Sequence, residues 1–258
     1  MIGNYVIVSW RYLTRNKLFS IINIAGLTLS LCCVMLIVLY TKDEASFDKF
    51  HKNFASLYLI TIELRFSDGS SMDKFGVTGY LQGPSFAARV PEIESFTRVT
   101  IDYKDLKLGN EIIGQQIMLA DPNFFETFSF PLIAGNPNKA LSDPKGVVVS
   151  ELIAEKYFGT TDVLNKTLMM EENGVLVPYT ITGISKKCPQ NSSIQFDILM
   201  QLPISESNKT EDNWASVAVN TFLKIPRGDI HAVQEKIQRV FELESKAVME
   251  KVRADGFA

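Results

Sequence analysis

The apolar and polar positions divide the chain into three parts. A long uninterrupted apolar run has a short amphipathic segment before it and a mixed stretch after it. The run covers residues 18–40, LFSIINIAGLTLSLCCVMLIVLY, and holds no Asp, Glu, Lys, Arg or His. As a helix its length is about 35 Å, enough for a hydrocarbon core of ~30 Å. Ser20, Thr28 and Ser30 can return hydrogen bonds to their own helix, whereas the Asn23 amide needs a protein neighbour. Soluble helices rarely run six turns without a charge, so the pattern predicts a membrane span rather than a buried core helix. A cleavable signal peptide has a shorter apolar core and a small-residue cleavage site, and no such site follows Tyr40. Leu31 before Cys32 is too large for a lipoprotein signal, and eight further residues of the run follow that cysteine.

In residues 1–17, Ile2, Val6, Trp10 and Leu13 fall on one side at helical spacing, with Asn4, Arg11 and Arg15 opposite. That predicts an amphipathic helix in the headgroup layer or a plain basic flank. Beyond the span, Phe47, Phe50, Phe54 and Leu57 predict the packed face of a short connecting helix. Residues 57–66 alternate as a strand, and 81–90 form a helix stopped by Pro91. Residues 93–108 and 112–119 make a hairpin around Gly109-Asn110, followed by an aromatic segment at 124–130. A strand at 146–149 leads into a helix capped by Ser150 and ending at Phe158. Residues 167–170 and 175–184 form a hairpin around Glu172-Asn173-Gly174, with strands at 194–202 and 216–225. Asp229 caps a final helix whose apolar stripe is Ile230, Val233, Ile237, Val240 and Ala247. This is an α+β pattern.

Charge sets the orientation. Arg11, Arg15 and Lys17 precede the run; Lys42 follows it, then Lys49 and Lys52, so the basic bias of the immediate flank is N-terminal. The positive-inside rule therefore places residues 1–17 in the cytoplasm and 42–258 outside. A net charge of −3 gives no reason to invoke nucleic acid. Cys188 is alone outside the run, so that part holds no disulfide of its own. His51 and His231 stand apart from any ligand-spaced cluster, and no zinc-protease or hydrolase motif occurs. Residues 159–167, GTTDVLNKT, resemble a phosphate loop only loosely, because Asn165 stands where a glycine is needed and the spacing is one residue too long. A helix-to-strand loop is the simpler reading. Asp43, Glu44 and Asp48 read as a solvated acidic cluster. Phe124, Phe125, Phe128 and Phe130 read as a packed corner rather than a ligand platform. The sequence carries no catalytic residue, metal ligand or cofactor site.

Three stretches together resemble the MacB/FtsX-type ABC transporter permeases, in the form common in Bacteroidota. They are WRYLTRNKLFSIINIAGLTLSL followed by LYTKDEASFDKFHKNFASLY (10–58), LADPNFFETFSFPLIAGNPNKALSDPKGVVVSELIAEKYFG (119–159) and YTITGISKKCPQNSSIQFDILM (179–200). The resemblance implies a cytoplasmic amphipathic helix (1–17), a transmembrane helix (18–41) and a MacB-like periplasmic core domain (42–258). It implies a porter-like α/β subdomain built from both ends of the outer segment, with a strand-rich subdomain inserted between. The family usually has a glycine where this chain has Asn165, which suggests a locally different turn. Its permeases carry at least three more spans and work with an ATPase whose phosphate loop is absent here.

The resemblance further implies a permease in the cytoplasmic (inner) membrane, which couples ATP hydrolysis by a partner to export or mechanotransmission. Its partners would be an ABC ATPase subunit, a second permease copy or homologue, a periplasmic adaptor or substrate protein, and membrane lipid. Arg11, Arg15 and Lys17 form the candidate ATPase-coupling segment. A single-pass extracytoplasmic sensor or binding module is the competing reading. A membrane-anchored hydrolase lacks the constellation it needs. Because both flanks of the outer domain return to one membrane face, residues 57–66 and 216–225 are expected to share a sheet.

Overall fold

In this computed structural model, the structure describes residues 2–63, 73–108, 111–172, 174–204, 214, 216–248 and 250. The chain divides into two compact units, residues 1–48 and 49–258.

The first unit is a helix pair, α1 (Ile2–Arg15) and α2 (Lys17–Glu44). Between them Asn16 leaves helical geometry, with φ −108° and ψ 59°. Residues seven apart on a continuous helix are separated by about 10.5 Å along its axis. Yet the Ser20 hydroxyl donates to the Leu13 carbonyl at 3.1 Å. The chain therefore bends sharply at Asn16, and Ser20 is buried there. Helix α2 contains the whole apolar run and extends it by one residue before and four after. As the sequence anticipates, Thr28 and Ser30 donate to the carbonyls of Ile24 and Gly26, at 2.7 and 2.9 Å.

The connecting helix expected from Phe47, Phe50, Phe54 and Leu57 is not formed. Residues 45–50 are turns, and Phe54–Ser56 is a single 3-10 turn. Phe50 and Leu57 do pack inward, but Phe54 is exposed. The recurrence of apolar residues reflects anchoring at separate points rather than a helical face.

The second unit runs β1 (Leu57–Leu59), α3 (Gln82–Arg89), β2 (Ser95–Leu108), β3 (Glu111–Ala120), α4 (Phe124–Thr127), β4 (Leu132–Gly135) and β5 (Gly146–Ser150). It continues through α5 (Glu151–Phe158), β6 (Thr167–Glu172), β7 (Val175–Ser185), β8 (Ile198–Gln201), β9 (Asn220–Lys224) and α6 (Ile230–Glu244). Local chemistry sets several of these boundaries. Pro91 follows α3, since its ring disfavours helix in the residue before it. The Ser150 hydroxyl accepts the Ile153 N–H, and Gly159 ends α5 at φ 68°. Asp229 accepts the His231 N–H at 2.9 Å to start α6. Asn165 has φ 64°. Asn is among the few non-glycine residues that adopt this left-handed backbone routinely. The asparagine thus holds a conformation that glycine would also hold, and the different turn expected there is not required.

The expected strands at 194–202 and 216–225 are shorter, β8 and β9. Residues 64–66 of the first expected strand, and the turn residues Gly109, Asn110 and Asn173, lie outside the described residues. Ala247 is exposed, and Val248 is the buried residue beyond α6.

Strand pairing returns to its start. The circuit β2–β3–β8–β5–β7–β6 closes where Leu106 of β2 meets Met170 of β6. Alternation along the strands turns one face inward. Leu106, Ile117, Val147, Leu168, Ile181 and Ile198 belong to one buried cluster. The residues between them face the other way. Met118, Val148 and Leu199 meet the aromatic corner of Phe124, Phe128 and Phe130. A third cluster gathers the two ends of the unit, with Phe86 of α3, Leu223 of β9, Val233 of α6 and Trp214. Strand β1 pairs antiparallel with β9, Leu57 opposite Lys224, so the two ends share a sheet as expected. The fold is α+β.

One edge of β2 carries β9 along Ser95–Val99 and then β6 at Leu106, while its other edge carries β3 from Val99 onward. At this change of partner sits a buried ion pair. Arg98 Nε and Nη2 donate to Asp121 Oδ2 and Oδ1 at 2.9 and 2.8 Å, and Nη1 donates to the Tyr80 carbonyl at 2.9 Å. The Arg98 backbone N–H also donates to Asp121 Oδ2 at 2.8 Å, and the Asp121 N–H to the Arg98 carbonyl at 3.0 Å. Removing one partner would leave the other charge buried and uncompensated. Arg98→Met is expected to cost about 3–5 kcal/mol in denaturant unfolding of the full chain. Asp121→Asn, which keeps an acceptor, should cost less.

The single β2–β6 pair is reinforced by charge. Glu172 of β6 accepts from Lys104 of β2 at 2.8 Å, from Lys145 at 3.1 Å and from the Tyr179 hydroxyl. The Lys104 hydrogen bond first, then those of Tyr179 and Lys145, hold the Glu172 carboxyl at about 2, against an ordinary 4.5. A depressed folded-state value stabilises the fold above the unfolded value. That contribution is lost as pH falls from 4.5 toward 2. Glu172→Gln is expected to lower stability by about 1–2 kcal/mol at neutral pH. The gap between variant and parent should close over that acid window in pH-resolved unfolding curves.

Candidate functional site

Arg11, Arg15 and Lys17 flank the bend at Asn16, the first two on α1 and the third opening α2, and all three are exposed. At 100° per residue Val6, Trp10 and Leu13 project from one side of α1, with Arg11 and Arg15 opposite. Trp10 is 69% exposed, so the apolar side is largely open among the described residues. A helix of this kind can lie with its rings among lipid headgroups while its guanidinium groups meet phosphates or carboxylates. α2 is long and apolar enough to cross a membrane.

The second unit accounts for the other sequence candidates. Phe124, Phe128 and Phe130 are buried in a packed corner with Phe196 and Phe222. Residues 159–167 join α5 to β6, with Val163 buried in the core. Among the described residues no three His, Cys, Asp or Glu side chains are grouped to hold a metal ion.

A cleft of about 270 Å³ lies beside β3, lined by Gln116, Met118, Leu152, Lys187, Cys188 and Asp197 among others. Burial pushes the Cys188 thiol up, and the Asp197 charge adds to this. The thiolate that nucleophilic chemistry needs is thereby disfavoured.

The residues just inside the second unit carry connections that the sequence does not announce. The Ser129 N–H donates to His51 Nδ1 at 3.0 Å, and the Lys52 N–H donates to the Ser129 hydroxyl at 2.9 Å. The Asn53 amide donates to the carbonyls of Glu126 and Thr127, both at 3.0 Å. The His51 ring packs edge-on against Phe128 and Phe130, centroids 5.3 and 5.1 Å away. These partners lie more than 70 residues apart in the chain. Only the odd setting of a histidine and an asparagine among phenylalanines hints at them.

The family profile of the MacB-like periplasmic core domain matches residues 20–240. No curated protein matches the sequence significantly. Among solved structures, a domain from Porphyromonas gingivalis described as part of a permease protein is 24% identical. The match covers 81% of this chain and 88% of that one, with a TM-score of 0.69. The periplasmic region of MacB from Actinobacillus actinomycetemcomitans is 13% identical over 68% of this chain and 83% of that one, TM-score 0.45. The extracellular domain of the noncanonic ABC-type transporter YknZ from Gram-positive bacteria is 14% identical over 71% and 93%, TM-score 0.47. The last two scores are too low to add to the fold. With the profile spanning most of the chain and an α+β unit following an apolar helix, the chain belongs to the family of the MacB-like periplasmic core domain.

Proposed function

We propose that the chain is the N-terminal part of an ABC transporter permease subunit. It would transmit the work of a partner ATPase across the cytoplasmic membrane, for export or mechanotransmission. The observation that carries this is the family match from residue 20 to residue 240, which begins inside an apolar helix of membrane length. The family is one of permeases, and an N-terminal apolar helix ahead of a periplasmic core domain marks a membrane protein.

In this reading residues 1–17 lie on the cytoplasmic face, 18–41 span the bilayer and 42–258 form the periplasmic core domain, the basic flank setting the orientation. The chain is not itself the enzyme. One helix cannot enclose a polar path through hydrocarbon. The span therefore works beside further helices, among them those of a second permease copy or a homologue. Asn23, exposed along α2, supports such a neighbour. A periplasmic adaptor or substrate protein would meet the outer domain, and lipid would cover the apolar side of α1.

Arg11, Arg15 and Lys17 are the segment through which the ATPase is coupled. Replacing Arg11 and Arg15 with Glu in the permease assembled with its ATPase is expected to lower substrate-stimulated ATP hydrolysis by at least about fivefold, or to misplace the N-terminus. ATP turnover in proteoliposomes and cysteine-accessibility mapping of topology would read the two effects. Unchanged activity with unchanged topology would remove the coupling role.

A further inference from the structure

The chain that leaves α2 enters the second unit at Lys49. It does not go directly into a strand. It is first fastened to α4 and the residues just after it, by the four hydrogen bonds of His51, Lys52 and Asn53 described above. The two Asn53 bonds occupy carbonyls at the C-terminal end of α4, which a helix leaves without internal partners. Only afterwards does the chain form the three-residue strand β1.

α4 is fastened in turn to β2. The Asn123 amide donates to the Phe96 carbonyl at 2.8 Å, and the Thr97 hydroxyl lies 3.2 Å from Asn123 Oδ1 and 2.6 Å from the Thr127 hydroxyl. Thr97 and Thr127 are both buried, where hydroxyl bonds are costly to lose. The next residue of β2 is Arg98, held by Asp121, and the Asp121 carbonyl accepts the Phe124 N–H at 3.0 Å. A continuous chain of bonds thus runs from residues 51–53 through α4 to the point where β2 changes partners.

We propose that the His51–Asn53 segment is a clamp, with Asn53 as its positioning residue. The clamp directs load arriving along the chain from α2 into α4 and the start of β2, and shields β1 from being peeled off β9. The geometry favours this. Load at Lys49 meets the clamp before it meets β1, and the clamp's bonds end on α4 and Ser129, from which α4's own bonds pass to β2. The purpose of the clamp rests on the transmission reading above. Its mechanics do not.

Single-molecule pulling on the full chain in lipid nanodiscs, with Cys32, Cys33 and Cys188 replaced by Ser, would test it. One pair of handles sits at Lys49→Cys and Gln116→Cys, so that load enters as it would from α2. The control pair sits at Leu243→Cys and Gln116→Cys. Asn53→Ala is expected to speed the first unfolding event about fivefold or more under the first geometry and to leave the second unchanged. A purely structural loss would speed both alike. Equal acceleration in both geometries, or none in the first, overturns the clamp. If Asn53→Ala does not fold, Ser129→Ala removes the acceptor for the Lys52 N–H and carries the same expectation. The test needs no ATPase. A failed clamp therefore leaves the permease reading intact, and a failed coupling experiment leaves the clamp intact.

Discussion

Everything in the second unit turns on how one strand serves two neighbourhoods. β2 gives its first residues to β9 and its last to β6, along one edge, and would slip or splay at the changeover without a fixed point. The Arg98–Asp121 pair supplies that point. It closes five hydrogen bonds at one place, counting two backbone bonds and the Tyr80 carbonyl. A buried pair of this kind need not add stability over apolar residues of the same shape. Its value here is in register. Bidentate geometry admits one alignment of Arg98 with Asp121, which fixes β3 against β2 and so the rest of the circuit.

The three buried clusters follow from that alignment. Because β5, β8 and the second half of β3 are covered on both faces, their runs are apolar at successive positions, as in Val147, Val148 and Val149, all fully buried. One face fills the circuit and the other meets the phenylalanine corner. The ends of the unit make a separate cluster around Phe86 and Trp214, centroids 6.0 Å apart. The end region and the circuit are therefore joined by β2, which pairs with both β9 and β6, rather than by a linker. The circuit's weakest backbone joint, between β2 and β6, is also where Glu172 gathers two lysines and a tyrosine.

Features governed by neighbours in sequence were legible in the sequence. Ser150 and Asp229 cap the helices assigned to them, Pro91 follows α3, and the hairpins pair as their alternation predicts. The membrane-length helix, the α+β class and the joining of the two ends were legible too. What escaped was set by distant partners. The phenylalanines at 47, 50 and 54 have helical spacing, but the backbone beside them bonds to residues near 129, which a turn allows and a helix would not. β4 follows Pro131 as four residues on the edge of β7, too short to show a period. Nothing local marks Arg98 as the partner of Asp121, 23 positions away. The residues expected as a site, Arg11, Arg15 and Lys17, are placed on α1 and at the start of α2, where all three are exposed.

The pairing of β1 with β9 also dictates an order of events. Leu57 waits for Lys224, so one edge of β2 and the apolar face of α3 remain uncovered until β9 and α6 have emerged. Open strand edges and late, long-range pairing are conditions under which chains stick to one another. The inserted strands can close their circuit first, since all of them precede residue 202. A growing chain would then carry one finished compartment and one unfinished one. The span of exposure is set by the time taken to deliver residues 202–244, which hold β9 and α6.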